Sequence, residues 1–101
     1  MGCVYQSKSK ITGKCYIGQT TKDLRSRIYN HYRASREFSN LSADLEDYGL
    51  DSFEWPILFQ SNNKNELKQM EHEFIFLRNT LYPRGYNKNM RYFKQKKRYK
   101  L

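Results

Sequence analysis

The sequence predicts a small α+β domain with three strands and three helices. Short runs of β-branched, aromatic and cysteine residues occupy the first 18 residues, and an aromatic-rich run follows at residues 53–59. Between and after these runs, apolar residues recur at helical spacing. The 101 residues suffice for one domain, and only 38% of them are apolar. We therefore expect a small core that depends on aromatic rings, which make up 16% of the chain.

The first 20 residues predict a β-hairpin. Strand-forming runs at residues 2–6 and 14–18 flank a polar, turn-rich segment at residues 7–13. Cys3 and Cys15 lie within these runs and lack the spacing of metal ligands. We expect reduced, packed thiols there rather than a disulfide framework or a zinc site.

A helix is predicted directly after the hairpin. Thr20 or Thr21 can cap its start, and Asp23 is favourable in its first turn. We expect the helix to end near Arg36. Its apolar positions recur at steps of four: Leu24, Ile28 and Tyr32.

The middle of the chain predicts a second, shorter helix and a third strand. Gly49 can take the backbone conformation that ends the second helix. Residues 53–59 are apolar enough for a strand, but Pro56 cannot donate a ladder hydrogen bond and indicates an edge or irregular position. The apolar positions of the second helix are Leu41, Leu45 and Tyr48.

The third helix carries a carboxylate at an unusual position. A polar loop at residues 61–65 can cap a helix over residues 66–78. On a helical projection Glu71 falls inside the apolar stripe, whereas Glu66 and Glu73 fall on the opposite side. The stripe consists of Leu67, Met70, Phe74 and Ile75.

A carboxylate on an apolar stripe costs free energy unless it is paired, protonated or bound to a metal. One interpretation of Glu71 is a salt bridge with Arg27 or Arg78. The other is a binding site, because Arg27 and His31 border the apolar face of the first helix, whereas Arg25, Arg33 and Arg36 do not.

The hairpin adds two tyrosines to this set. Antiparallel pairing could bring Tyr5 and Tyr16 close together near the helix that carries Arg27, although strand tyrosines usually serve the core. Phosphodiester cleavage needs a cation against the phosphate, a carboxylate for a divalent metal and a base for water, and all three are present. The sequence has no glycine-rich phosphate loop, no informative Ser-His-Asp spacing and no two-histidine metal motif.

The net charge of +9 is unevenly distributed along the chain. Residues 1–36 carry eight Lys/Arg and one acid, residues 37–83 carry three and nine, and residues 84–101 carry eight and none. This polarity predicts a cationic face for nucleic acid. The alternative is a tail that only aids solubility. No stretch is apolar enough for a membrane span or a signal peptide, and no basic helix has a long apolar face to insert, so the sequence predicts no membrane partner and an intracellular location, cytoplasmic or nuclear.

Taken together, these motifs resemble the GIY-YIG nuclease family over residues 3–89. The resemblance lies in Cys3-Val4-Tyr5, in Tyr16-Ile17-Gly18-Gln19-Thr20 after an eleven-residue step, and then, in chain order, in Leu24, Arg27, His31, Asp47-Tyr48-Gly49 before Phe53, Glu71, Asn79-Thr80 and Gly85-Tyr86-Asn87. It departs from the pattern at Cys3, where the family has glycine, and at Gln19, where excision-repair members have lysine. The second departure brings the chain closer to phage, viral and intron-borne nucleases.

The resemblance implies a small three-stranded antiparallel sheet flanked by helices, and Mg²⁺- or Mn²⁺-dependent cleavage of DNA without a small-molecule cofactor. Tyr16 resembles the general base, with Tyr5 beside it. Arg27 would stabilise the scissile phosphate, and His31 would orient or deprotonate a tyrosine or the attacking water. Glu71 would bind the metal. Asn87 resembles a supporting hydrogen-bonding residue.

We expect a nuclease domain at residues 1–89 and a basic C-terminal tail at residues 90–101. Each phosphate contact from the tail would steepen the salt dependence of DNA binding by about 0.9 in log–log slope. The alternative function is a catalytically weak or inactive nucleic-acid-binding module of the same fold. The expected DNA contacts are Lys14, Arg25, Arg33, Arg91, Lys94, Lys96, Lys97 and Arg98.

Overall fold

A computed structural model describes residues 1–88 of the chain, so the predicted basic tail lies outside the described residues. The fold is α+β, as predicted. Its elements are β1 (Gly2–Ser9), β2 (Cys15–Thr20), α1 (Leu24–Arg33), α2 (Asn40–Tyr48), a 3-10 turn (Leu50–Ser52), β3 (Phe53–Glu54), β4 (Ile57–Ser61) and α3 (Lys64–Arg78).

The sheet is antiparallel, with β1 at its centre. β2 pairs with one edge of β1, from Cys3 opposite Thr20 to Lys8 opposite Cys15. β3 and β4 both pair with the other edge, so four strands occupy three positions. The predicted third strand is thus present in two segments, interrupted at Pro56, whose carbonyl still accepts from the Gln6 amide at 2.9 Å. Both hairpin strands are longer than predicted.

The helices confirm the predicted elements but correct several ends. The predicted cap at Thr20 or Thr21 is wrong: Asp23 caps α1 by accepting from the Ser26 amide, because the Thr20 hydroxyl is engaged by the Lys22 amide in the turn after β2. α1 ends at Arg33 rather than near Arg36, since Ala34 is extended. α2 ends at Gly49 as predicted, where φ is +85°.

The longest helix, α3, starts two residues earlier than predicted. The Asn63 side chain caps it by accepting from the amides of Asn65 and Glu66. Glu66 and Glu73 are exposed and Glu71 is half-buried, which confirms the helical phase that placed Glu71 on the inner side.

Helices cover both faces of the sheet. Neighbouring strand residues face opposite sides, so Val4 packs with Leu67 and Ile75 of α3, whereas Tyr5 faces His31 of α1. A second cluster joins α2 to the far end of the hairpin through Leu41, Leu45, Phe53 and Tyr86. Side chains of the edge strand β2 can therefore contact α3 on one face of the sheet and α1 on the other. Among residues 1–88, no helix has the length and apolarity needed to cross a membrane.

Candidate active site

The two hairpin tyrosines lie on one face of the sheet because of their register. Tyr5 is directly opposite Gly18, and Tyr16 is two residues from Gly18 on the same strand face. The two rings lie 6.2 Å apart. A Cβ atom on Gly18 would lie 2.6 Å from the Tyr5 hydroxyl and 2.7 Å from Tyr16 Cε2. Glycine is therefore required here for space, because any side chain would displace both phenols.

A chain of hydrogen bonds passes through the Tyr5 hydroxyl. Arg27 Nε donates to that oxygen at 3.3 Å, and the hydroxyl lies 2.8 Å from His31 Nε2. Arg27 and His31 are four residues apart on α1, so one helix face supplies both partners. Because a guanidinium only donates, Tyr5 accepts from Arg27. Toward a neutral His31, the hydroxyl is the donor when the imidazole proton is on Nδ1.

Burial and charge set the protonation states of these groups. Desolvation, and then the positive charge of Arg27, lower the pKa of His31 to about 4, so the ring is neutral at pH 7. Burial raises the pKa of Tyr5 and of Tyr16, while Arg27 opposes both shifts by favouring the phenolate. Hydrogen bonding to Tyr5 also lowers the pKa of Tyr16. Tyr5 is completely buried, whereas Tyr16 is only partly buried.

Aromatic rings enclose His31. The imidazole and the Tyr16 ring meet edge to face with ring centroids 5.1 Å apart, and Trp55 stacks on the imidazole at 6.1 Å and 27°. Trp55 precedes Pro56 at the break between β3 and β4. The interruption of the third strand therefore brings an indole over the histidine, which contributes to its desolvation.

Glu71 reaches the other side of the edge strand. Gln19 is opposite Val4 and so faces α3, where its Nε2 donates to Glu71 Oε1 at 3.2 Å. Burial raises the pKa of Glu71, while the Gln19 hydrogen bond and the charges of Arg27 and Lys68 oppose that shift. The predicted alternative, a salt bridge, is not formed with any of the described residues. Arg78 instead donates to Gln6 Oε1 at 2.8 Å.

The surroundings of Glu71 fit a magnesium ligand. Mg²⁺ prefers oxygen donors and commonly uses one or two carboxylates, completed by water and substrate phosphate. Glu71 offers a half-buried carboxylate that receives one hydrogen bond from a neutral amide, and no cation neutralises it by direct contact within residues 1–88. Those residues contain no cluster of three or more His, Cys, Asp or Glu side chains that could enclose a metal without substrate.

Asn87 lies behind the tyrosines rather than among them. Its Nδ2 donates to the Ile17 carbonyl at 2.9 Å, and its Oδ1 accepts from the Ile17 amide at 2.8 Å and from the Thr80 hydroxyl at 2.7 Å. This buried amide therefore fixes the backbone between Tyr16 and Gly18. The geometry is that of a support for the edge strand.

The predicted DNA contacts fall at separate places. Arg25 and Arg33 are exposed on α1, and Lys14 is half-buried at the hairpin turn, at the opposite end of β2 from Gln19. The remaining predicted contacts, Arg91, Lys94, Lys96, Lys97 and Arg98, lie outside the described residues.

The structure thus brings five predicted residues together and adds three that the sequence analysis did not assign. Gln19, Gly18 and Trp55 contact the site through Glu71, the tyrosines and His31. The alternation of β2 could have placed Gln19 on the α3 side once the hairpin register was known. The five predicted residues are Tyr5, Tyr16, Arg27, His31 and Glu71.

The chain resembles known proteins in its sequence family and in its fold. The family model of the GIY-YIG catalytic domain matches residues 1–87. The fold is similar to a mutant form of the catalytic domain of intron endonuclease I-TevI, with TM-score 0.70, 26% identity, and coverage of 86% of this chain and 93% of that one. It is also similar to the catalytic domain of homing endonuclease I-TevI, with TM-score 0.69, 24% identity, and coverage of 87% and 98%. No curated protein sequence matches the chain. Because the family model spans most of the chain, this protein belongs to the GIY-YIG nuclease family.

Proposed function

We propose that this protein is a Mg²⁺- or Mn²⁺-dependent DNA endonuclease that hydrolyses phosphodiester bonds at the Tyr5, Tyr16, Arg27, His31 and Glu71 site. The observation that carries the proposal is the chain from Arg27 through Tyr5 to a neutral His31, next to a carboxylate without an ion-pair partner among residues 1–88. This set combines an anion-binding cation, a proton acceptor and an oxygen ligand. The two I-TevI domains, which share the fold, are endonuclease catalytic domains.

Arg27 binds the scissile phosphate in this proposal. Its Nε is engaged by Tyr5 and the guanidinium also interacts with Tyr16, so the remaining N–H groups of the guanidinium are the donors for phosphate oxygens. Negative charge on those oxygens grows as water attacks phosphorus, so the contact is strongest in the transition state. Arg27 is held by Tyr5 before substrate arrives, which reduces the conformational freedom lost on binding.

Tyr16, Tyr5 and His31 form the path by which a proton leaves the attacking water. Tyr16 is the more accessible phenol and takes a proton from the attacking water, as it passes its own proton to Tyr5. Tyr5 in turn passes its proton to His31 Nε2. One water proton thus moves to the imidazole, the new oxygen–phosphorus bond forms, and the bond from phosphorus to the leaving oxygen breaks. The leaving oxygen takes a proton from solvent.

Substrate binding favours this transfer. Arg27 contributes to the low pKa of His31 after desolvation does, and a phosphate against Arg27 offsets that positive charge. The imidazole then becomes a better proton acceptor when substrate is bound. Glu71 would hold the divalent metal, which supplies positive charge against the phosphate and leaving oxygens. Gln19 orients Glu71 for this role without cancelling its charge.

The test is conversion of supercoiled plasmid to nicked and linear forms with Mg²⁺, with Mn²⁺ and with a chelator. Glu71→Gln and Arg27→Ala should each reduce cleavage by at least about 10²-fold, the size expected for removal of one transition-state contact. Each variant has a matched control. Glu73→Gln, on the same helix as Glu71, and Arg84→Ala change the same residue types at exposed positions with no assigned role and should retain cleavage.

Three results would contradict the proposal. Cleavage that persists in chelator would exclude the metal dependence. Equal losses in Glu71→Gln and Glu73→Gln would show that the site is misplaced. Absence of cleavage by folded protein that still retards DNA would identify the binding module of the same fold instead.

A further inference from the structure

A groove of about 360 Å³ leads away from the candidate active site. It lies between the end of β2 and the first turns of α1. Gln19 and Arg27 line it at the end next to the site, and Lys22, Ser26 and Asn30 line it farther along, together with two threonines. Because Gln19 contacts Glu71 and Arg27 contacts Tyr5, the groove and the site share a wall.

The lining of the groove selects for an anion. Lys22 and Arg27 carry positive charge, and the other described side chains that line it are hydroxyls and amides. Within residues 1–88, no carboxylate belongs to the lining. The adjacent Asp23 is engaged as the α1 cap, where it accepts from the Ser26 amide at 3.3 Å and from the Ser26 hydroxyl at 3.5 Å. Hydroxyl, amide and ammonium groups are the usual partners of phosphate and sugar oxygens in protein–DNA contacts.

The groove matches a backbone unit better than a base or a large ligand. Its volume is near the lower end of the roughly 300–1,000 Å³ range of ligand pockets, which suits one nucleotide unit. None of the described residues that line it is aromatic, whereas proteins that hold unpaired bases usually stack them on aromatic rings. Ser26 and Asn30 are one turn apart on α1, next to the Arg27 and His31 row. A strand whose phosphate meets Arg27 can therefore continue along them.

We propose that this groove binds the sugar–phosphate of the nucleotide adjacent to the scissile phosphate, with Lys22, Ser26 and Asn30 as the contacting residues. The inference rests on the proposed endonuclease function and adds a substrate subsite to it. The groove holds the strand in register with Arg27 and Glu71. Because it contacts backbone and no base, its contribution to affinity is the same for different sequences.

Binding of a fluorescent DNA duplex, followed by anisotropy in chelator, tests the subsite without any need for cleavage. Lys22→Glu should weaken binding by about tenfold, which equals about 1.4 kcal/mol, for two duplexes of unrelated sequence. Lys10→Glu is the matched control. It makes the same charge change at an exposed lysine beyond the opposite end of the hairpin, and it should lose much less affinity.

The milder pair Lys22→Gln and Lys10→Gln separates local contact from overall charge. Lys22→Gln should reduce the log–log salt slope by about 0.9, as expected for one lost phosphate contact, and Lys10→Gln should leave it unchanged. Ser26→Ala with Asn30→Ala should raise the KM of cleavage with little change in kcat. Circular dichroism confirms folding of each variant.

Equal losses in the two Lys→Glu variants would overturn the subsite, because binding would then follow net charge. No loss in Lys22→Glu, or a loss confined to one sequence, would also overturn it. These outcomes are independent of the endonuclease proposal, which fails only if metal-dependent cleavage is absent or indifferent to Glu71 and Arg27.

Discussion

Two buried tyrosines in this domain have hydrogen-bond partners of opposite charge. Tyr5 accepts from the Arg27 guanidinium and shares a hydrogen bond of 2.8 Å with the neutral His31 ring. Tyr86, at the far end of the hairpin, donates to the Asp44 carboxylate at 2.6 Å and lies 3.3 Å from the Thr12 hydroxyl. Both phenols are at most 2% exposed, so burial alone does not distinguish them.

The charge of the partner decides what each phenol can do. Burial and the Asp44 carboxylate raise the pKa of Tyr86 to about 12, because a nearby negative charge disfavours the phenolate. Burial raises the pKa of Tyr5 even further than that of Tyr86, but Arg27 opposes that shift. The two tyrosines therefore differ in the charge of the partner and not in the direction of the pKa shift: Asp44 disfavours the Tyr86 phenolate, whereas Arg27 stabilises the phenolate that Tyr5 becomes when it passes its proton on.

The largest expected effect separates the two tyrosines by activity. Tyr5→Phe removes the proton path to His31 and should lower kcat by about 10²–10⁴-fold, the usual contribution of a general acid–base group. Tyr86→Phe should retain nearly full plasmid cleavage, because it leaves the site intact. Equal losses of kcat in Tyr5→Phe and Tyr86→Phe would contradict the different roles assigned to the two tyrosines.

The next effect tests whether His31 is neutral. The unfolded chain binds a proton at His31 near pH 6.5 and the folded chain only near pH 4, so the unfolded state binds more protons between these values. The stabilisation that the neutral His31 ring gives the folded protein is fully present above pH 6.5. As the pH falls to 4, up to about 3 kcal/mol of the unfolding free energy is lost. Urea unfolding across this range measures it.

His31→Gln is the control for that titration. Its stability should change less over the same pH range than that of the wild type. The raised pKa of Glu71 changes the pH dependence of stability in the opposite direction to His31. This effect is present in both the wild type and His31→Gln, so it cancels when the two stability profiles are subtracted. Identical pH profiles would mean that His31 titrates alike in the folded and unfolded chains.

A smaller effect concerns stability at the other tyrosine. Tyr86→Phe removes the donor to Asp44 and leaves a half-buried carboxylate without that partner. The free energy of unfolding should fall by about 2 kcal/mol, a typical value for a hydrogen bond to a charged group. Asp44→Asn, which retains an acceptor, should lose less. A larger loss of unfolding free energy in Asp44→Asn than in Tyr86→Phe would contradict the stabilising role of the Tyr86–Asp44 hydrogen bond.

The smallest expected effect concerns the hydrogen-bond partners of two carboxylates, Asp44 and Glu71. Asp44 accepts from a phenol, whereas Glu71 accepts from the Gln19 amide. Gln19→Leu should weaken Mn²⁺ binding by about tenfold, as for other residues that orient metal ligands. Gln60→Leu, at an exposed position on β4, is the control. Titration of Mn²⁺ in the presence of a non-cleavable duplex provides the readout, because substrate phosphate completes the site, and unchanged affinity would remove Gln19 from the metal site.

The sequence predicted most elements, and most of the side chains that meet at the candidate site, because each signal was local. Glycine and asparagine near helix ends, and apolar residues at helical spacing, depend on a few neighbouring residues. Helix ends were less predictable, since the Thr20 hydroxyl is engaged in the turn after β2 and Asp23 takes the capping position. The split of the third strand followed from Pro56, but the packing of Trp55 over His31 did not.

By itself, the sequence determined that Glu71 faces inward on its helix, that Arg27 and His31 share a face, and that the chain ends are cationic. Periodicity and charge are properties of the chain and need no partner. Only the tertiary structure decided which charges meet. The register that sets Tyr5 opposite Gly18, and the edge strand that carries Gln19 to Glu71, are non-local pairings. The guanidinium thus meets a phenol instead of a carboxylate, which leaves Glu71 with its charge uncompensated by any ion pair among residues 1–88.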